Sequence, residues 1–363
     1  MDRRGFAKAA GLGTVGSVFA APAIAQSSQT IRWRWVSSFP KSAHAWPMFE
    51  AFSRRVAEIT DGKFEIQLFG PNEIVAPLQV LDAVQNGTVE AGWTATYFYI
   101  GKDPAFAFGS AIPFGLNTRQ HQAWIMAGGG GELFNEFLDS HGVRYVGMGL
   151  TGAQMGGWYR KEIKSLEDLQ GLKMRIPGFG GSIMSRLGVL PQVIAAGDTY
   201  AALERGIIDA VEYTTPVDDE QMGLYKVAKY YYYPGWWEGS VQVGHFINKQ
   251  KWAELPDRYK TALEAVCVEQ EQAILNGYDA KNPAALRRVI GHGAELRVFP
   301  KEVLQAAYKE TLAFLDETAA GNANFKKLLD HYMKFRADSL LWHRVGEGSY
   351  DNFVQAEWSR VKR

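Results

Sequence analysis

Two stretches decide the fold: Leu81-Asp82-Ala83-Val84-Gln85-Asn86-Gly87-Thr88-Val89-Glu90-Ala91 and Tyr200-Ala201-Ala202-Leu203-Glu204-Arg205-Gly206-Ile207-Ile208-Asp209-Ala210. Each reads as a short helix, a glycine that stops it, an apolar step, an acid, and an alanine opening a strand. A glycine just past the last helical turn is the usual left-handed cap. Helix–glycine–strand junctions are common singly. The close match of two of them in one chain points to two similar α/β lobes, and so to a cleft between them.

The rhythm extends outward from both. Residues 31–36 read as a strand, 46–59 have helical spacing, 63–70 alternate as a strand, 78–84 form a helix and 88–93 a strand. Around the second stretch, 172–176 is a strand, 180–187 and 200–205 are helices, and 207–213 is a strand. Residues 145–150 form a further strand before Gln154. This β-α-β order implies mostly parallel sheets covered by helices. Residues 257–277 and Arg287-Arg288 are helical, 294–299 a strand, and 301–363 almost all helix with a break at Ala320-Gly321-Asn322. The expected division is lobe 1 over 26–150, lobe 2 over 151–250, and a lobe-spanning and helical segment over 251–363 with a possible dimerisation helix. No low-complexity linker separates the lobes, so strands should cross between them.

The first 25 residues read as an export signal. Arg3 and Arg4 are followed by Phe6 and Lys8, then by a short Gly/Ala-rich apolar run and the small-x-small site Ala23-Ile24-Ala25. The adjacent arginines fit a twin-arginine (Tat) leader and a periplasmic home. The whole chain balances 39 Lys+Arg against 39 Asp+Glu. That argues against nucleic acid, whose binders carry a basic excess. Past the leader no stretch of about 18 apolar residues occurs. The single cysteine, Cys267, permits no internal disulfide or cysteine metal cluster and sits on an apolar helical face.

Catalytic signatures are missing. There is no HExxH, no GxxxxGK[ST] and no GxSxG, the seven histidines are scattered, and no nucleophile–base pair is visible. The four glycines at 128–131 read as a turn before a helix at Glu132. What stands out is polar residues at strand ends, where open α/β sheets bind ligands. Arg175 interrupts the apolar strand 172–176, and its planar fork suits a carboxylate. Glu212 ends the run 207–211 and aligns with Trp93 in the repeat. Gln154 follows the strand 145–150. The run Tyr230-Tyr231-Tyr232-Tyr233-Pro234-Gly235-Trp236-Trp237-Glu238-Gly239 sets an acid among aromatic rings.

Five segments carry a family resemblance: Val36-Ser37-Ser38-Phe39-Pro40-Lys41-Ser42, Tyr97-Phe98-Tyr99-Ile100-Gly101-Lys102-Asp103-Pro104, Gln154-Met155-Gly156-Gly157-Trp158, Gly171-Leu172-Lys173-Met174-Arg175, and Tyr231 through Gly239. They resemble the periplasmic solute receptors of tripartite ATP-independent (TRAP) transporters, most closely the branch that binds α-keto acids. The resemblance implies a two-lobed, type II-like periplasmic-binding-protein fold with long C-terminal helices. It implies that Arg175 clamps a carboxylate. It implies a sodium or calcium ion held by Gln154, Glu212, the backbone carbonyl of Tyr213, and Glu238, all of them hard oxygen donors. Phe39, Tyr99 and Trp237 would complete the substrate site with Arg175, Gln154 and Glu212. One arginine, two glutamates and a monocarboxylate leave a charge of −2, which leans the expectation toward calcium. The sequence departs from the branch at Glu212-Tyr213, where Glu-Trp is usual, which bears on substrate size. The expected function is a non-enzymatic receptor for a small 2-oxo or 2-hydroxy monocarboxylate. Its partners would be the TRAP membrane subunits and a second copy of the chain. A metal-dependent periplasmic enzyme acting on a carboxylate, or a partner protein for a membrane sensor, are the alternative readings.

Overall fold

The computed structural model describes residues 30–360. The leader assigned to residues 1–25 lies outside the described residues. The strands are β1 (Ile31–Ser37), β2 (Phe64–Phe69), β3 (Ala91–Thr94), β4 (Val143–Leu150), β5 (Trp158–Tyr159), β6 (Lys173–Arg175), β7 (Leu190–Gln192), β8 (Ala210–Val211), β9 (Tyr230–Tyr233), β10 (Gln242–Asn248) and β11 (Glu295–Val298). They form two sheets, ordered β2-β1-β3-β10-β4 and β11-β9-β5-β8-β6-β7. The first sheet is packed by helices α1 (Trp46–Ile59), α2 (Val80–Gln85), α3 (Thr118–Met126) and α4 (Gly130–Asp139). The second carries α5 (Gly178–Arg186), α6 (Thr199–Glu204) and α7 (Pro216–Met222). The chain ends through α8 (Lys249–Glu254), α9 (Asp257–Gly291), α10 (Lys301–Gly321), α11 (Ala323–Val345) and α12 (Glu347–Arg360).

The repeated stretches fold as copies, down to individual hydrogen bonds. Gly87 and Gly206 take φ of 76° and 69°. The amide of each donates back into its helix, to Val84 O and Leu203 O, both at 3.2 Å. Val89 N–H then reaches Ala83 O, and Ile208 N–H reaches Ala202 O, both at 3.3 Å. The acids match too. Glu90 accepts the backbone N–H of Arg34 on β1 at 2.7 Å, and Asp209 accepts that of Lys173 on β6 at 3.1 Å. Each acid thus ties the start of its strand to the neighbouring parallel strand. This closure explains why the strands are shorter than 88–93 and 207–213. Val89, Ile207 and Ile208 spend their amides on the helix end, so the strands proper begin only at Ala91 and Ala210.

Neither sheet is wholly parallel. β10 runs antiparallel between β3 and β4, and β5 runs antiparallel between β8 and β9. These strands flank the crossings: the chain leaves the first sheet at β4 for β5 and returns from β9 to β10. The end assigned to lobe 2 is therefore corrected, because residues 242–248 belong to the first sheet. Register explains it: Phe246 and Ile247, fully buried, pair with Gly92 and Ala91. A third crossing is α9, a single 35-residue helix where two pieces were expected. It runs through Pro283, whose missing N–H costs one helical bond. Tyr278, Ala285 and Val289 are buried on both sides of the proline and hold the helix together across it. Cys267 is fully buried in α9.

The first sheet buries Trp35, Phe49, Phe52 and Phe64 on one side. The second buries Trp158 stacked on Tyr231, with centroids 4.0 Å apart. Burying a side chain of this size stabilises by about 1.5–3 kcal/mol. The break expected near Gly321 falls at Asn322, whose side chain caps α11 by accepting Phe325 N–H.

Gly87→Ala and Gly206→Ala should each destabilise the protein by about 1 kcal/mol, since an L residue is forced into the left-handed region. A Cβ at Gly87 meets nothing, whereas at Gly206 it lies 2.8 Å from the Arg160 guanidinium. Chemical denaturation should therefore show an equal or larger loss at Gly206.

Candidate functional site

A cleft lined by residues of both sheets lies between the lobes. Its lobe 1 wall is apolar: Phe39, Trp93, Phe98, Val243 and Ile274. Its lobe 2 floor presents Arg175, Gln154 and Tyr213. Pro77-Leu78 and Ala195-Ala196 face one another as its lips. The lips occupy matching places in the two repeats, immediately before α2 and α6, in one-turn segments Pro77–Gln79 and Ala196–Asp198.

Four segments meet at the floor and are stitched by backbone bonds. Gln154 N–H donates to Glu238 O at 3.2 Å, and Gly235 N–H to Gln154 O at 3.2 Å. Met155 N–H donates to Thr214 O at 3.0 Å, and Glu212 N–H to Arg175 O at 2.9 Å. Gly235 is required by this closeness, for a Cβ there would lie 2.5 Å from Gln154 O.

Arg175 is 5 % exposed. Its Nη1 donates to the Glu212 carbonyl oxygen and to Glu212 Oε2, the latter at 3.0 Å, and its Nε donates weakly to Ile194 O at 3.4 Å. Nη2 makes no such bond among the described residues. Glu212 is fully buried and Glu238 3 % exposed. Burial, reinforced by the charge of Glu238, pushes the Glu212 carboxyl well above the usual carboxylate range, with Arg175 opposing. Burial likewise pushes Glu238 up to about 7, opposed by Arg175, Glu212 and the Tyr97 hydroxyl.

Three buried acceptors on this floor have no hydrogen-bond partner among the described residues: Gln154 Oε1, Glu212 Oε1 and Glu238 Oε2. The orientation of the Gln154 amide is set by its Nε2, which donates to Thr151 Oγ1 at 3.2 Å. Leaving such an acceptor dry costs about 1–3 kcal/mol each. Three unmet oxygens, two of them on carboxylates, are what a hard cation such as sodium or calcium satisfies. The residues therefore fit the ion that the resemblance implied. Tyr213 sits beside them, its ring centroid 5.8 Å from the Arg175 guanidinium carbon.

Two expected pocket residues lie elsewhere. Tyr99 is in the lobe 1 core, its hydroxyl 3.1 Å from Thr94 Oγ1 and accepting Leu81 N–H at 3.3 Å. Tyr97 takes the place on the cleft wall instead. Residues 96–99 form a single 3-10 turn, about 120° per residue, so positions 97 and 99 cannot share a face. Trp237 is 1 % exposed and packs against Phe299 and the Gly180 backbone behind the site, not against the cleft. Phe39 does line the cleft, edge-on to Trp93 at 5.0 Å.

Sequence reasoning missed the pair Asp218-Asp219 at the start of α7. Asp218 accepts His44 N–H from lobe 1 at 2.8 Å and the Tyr278 hydroxyl from α9 at 2.6 Å. Asp219 turns the other way, accepting Trp158 Nε1 at 2.9 Å and the Tyr231 hydroxyl at 2.6 Å within lobe 2. Consecutive acids thus fasten α7 to both lobes. Two acids after a Thr-Pro start are the only local signal, and nothing in it reports the partners.

Known proteins are similar to this chain in sequence and fold. A monocarboxylate 2-oxoacid-binding periplasmic protein of Nostoc is 47% identical over 326 residues, 90% of each chain. The solved structure of a TRAP transporter solute binding protein from Bordetella bronchiseptica is 46% identical, with a TM-score of 0.90, covering 92% of this chain and 100% of that one. It is a mixed-occupancy dimer with copurified calcium and picolinate in a bound active site against an apo site. A TRAP periplasmic solute binding protein from Pseudoalteromonas atlantica, with bound sodium and pyruvate, is 32% identical, with a TM-score of 0.85 over 89% of this chain and 99% of that one. With residues 40–322 matching its pattern, the chain belongs to the bacterial extracellular solute-binding proteins of family 7.

Proposed function

We propose that this protein is the periplasmic receptor of a TRAP transporter, holding a small 2-oxo or 2-hydroxy monocarboxylate beside a sodium or calcium ion. The observation that carries this reading is the floor of the cleft. Among the described residues, one guanidinium nitrogen is free for a carboxylate, and three buried oxygens on cross-bonded segments have no donor. Gln154, Glu212, Glu238 and the Tyr213 carbonyl would hold the cation, which would supply positive charge beside the bound acid. Arg175 orients the carboxylate. The apolar lobe 1 wall excludes water, which strengthens each ionic contact. The relatives are binding proteins, and this chain is a receptor that closes, carries and releases to membrane subunits, rather than an enzyme.

The receptor is read as a homodimer, since the Bordetella relative is a mixed-occupancy dimer. No residue of α12 is buried, and the apolar Leu341, Trp342, Val345 and Phe353 stand exposed along the end of α11 and α12. That band is large enough to seek cover. Val345→Asp with Phe353→Asp should give a monomer by sedimentation while leaving ligand affinity in place.

Chelator-stripped protein, titrated with pyruvate, longer 2-oxo acids, lactate and malate, tests the site. Each acid is added with sodium, with calcium and with neither. An acid at 100 times its dissociation constant adds about 2.7 kcal/mol of stability. That gain should need a cation and should favour 2-oxo monoacids. A gain for malate alone would overturn the reading. Arg175→Ala should abolish the acid-dependent gain and keep the cation-dependent one.

The pH dependence has a definite sign. Raised carboxyls at Glu212 and Glu238 favour the cation-free fold at low pH, and that contribution is lost as pH rises through about 7. A cation needs the ionised forms, so its stabilising effect should grow from about pH 5.5 to about pH 8.5. Glu212→Gln should weaken the cation effect at every pH, read by chemical denaturation.

A further inference from the structure

The hydroxyls lining the cleft are nearly all spoken for. Ser38 Oγ donates to Pro77 O at 2.6 Å, and Thr151 Oγ1 to Gly152 O at 2.9 Å. Thr214 and Tyr278 both donate to Asp218. Tyr97 is engaged with Glu238. Tyr213 is different: the residue lines the cleft floor, and its hydroxyl has no hydrogen bond among the described residues. Asp218, the nearest charged neighbour facing that phenol besides Arg175, already takes three donors, and Thr214 is one of them.

Arg175 supplies the complementary fact. A bidentate grip on a carboxylate uses two guanidinium nitrogens side by side. Here Nη1 is committed to two oxygens of Glu212 and Nε leans on Ile194 O, so only Nη2 is left. One arginine nitrogen and one cation contact leave lone pairs of a carboxylate unmet, and among the described residues no other Lys, Arg or His side chain lines the cleft. The ring of Tyr213 lies beside this guanidinium, 5.8 Å from its central carbon.

We propose that the Tyr213 hydroxyl is the second protein donor to the ligand's carboxylate, completing with Arg175 Nη2 a grip that the arginine alone cannot make. Tyr213 then acts twice, through its backbone carbonyl and through its phenol. The inference rests on the receptor reading above and adds a residue role to it. It also gives the Tyr in Glu212-Tyr213 a task that a phenol, with its para hydroxyl, performs from this position.

Calorimetry on the full dimeric protein at saturating calcium, and again at saturating sodium, tests this. The ligands are pyruvate, 2-oxobutyrate and 4-methyl-2-oxopentanoate. Tyr213→Phe keeps the ring over Arg175 and should lower affinity roughly ten- to a hundred-fold, the range for a hydrogen bond to a charged group. The loss should be equal for all three acids, because they share the carboxylate. Calcium affinity without acid should be unchanged, since the backbone carbonyl remains. Affinities within twofold of the wild type would overturn the inference, as would a loss that grows with chain length, which would put the phenol against the ligand's tail. Should the Phe variant unfold early in a melting scan, Tyr213→Trp provides the second variant. It restores bulk without the para hydroxyl and should show the same loss for all three acids. Wild-type protein that binds none of them would overturn the receptor reading itself, a result distinct from these.

Discussion

The buried pair of Arg175 and Glu212 is the constraint on which the site depends. A guanidinium and a carboxylate taken from water lose several kcal/mol of hydration each, and their attraction recovers this only with good geometry. Here a second carboxyl, Glu238, shares the same dry floor, and burial pushes both carboxyls up, so they resist ionising until a cation is there to meet them. The surrounding backbone makes this tolerable. Four chain segments from distant parts of the sequence are cross-bonded there by their amides, which holds the acids close despite their repulsion. What the backbone leaves unmet is a defined set of oxygens, and that set matches a cation.

The repeat explains how such a floor came to face a wall of another kind. Both lobes use the same helix stop, the same strand opening and the same acid-to-amide tie between parallel strands. The scaffold then places corresponding residues at the same edge of each sheet. At that edge one copy has Trp93 and the other Glu212. A near-symmetric frame thereby delivers an apolar surface from one side and charge from the other.

Much of this was legible in the sequence, for identifiable reasons. Arg175 stood out because an arginine in a short apolar strand must have a partner. Gln154, Glu212 and Glu238 came from segment ends and from the resemblance, and the structure brings all three together with Arg175 and Tyr213. Tyr99 and Trp237 failed because local pattern does not say which way a single 3-10 turn or an aromatic run rotates its side chains. Ile274 and Tyr278 were invisible for another reason. They lie one turn apart on a long helix whose every face has some neighbour, and only the placement of α9 against α7 and β4 turns that pair toward the cleft. The strand boundaries slipped where amides were diverted to helix ends, a competition that residue preference does not record.

The division of labour between the lobes has a kinetic consequence. Gln154, Arg175, Glu212, Tyr213 and Glu238 all belong to the segment between β4 and β10, so the charged contacts are assembled before the lobes approach each other. In the receptor proposed above, a calcium ion together with Arg175 outweighs the two glutamates, so an acid is captured at the open floor by charge at a rate that ionic strength would slow. The apolar wall joins only on closure and governs escape. Two acids with the same head and different tails would then be captured equally fast and be told apart by how long they stay.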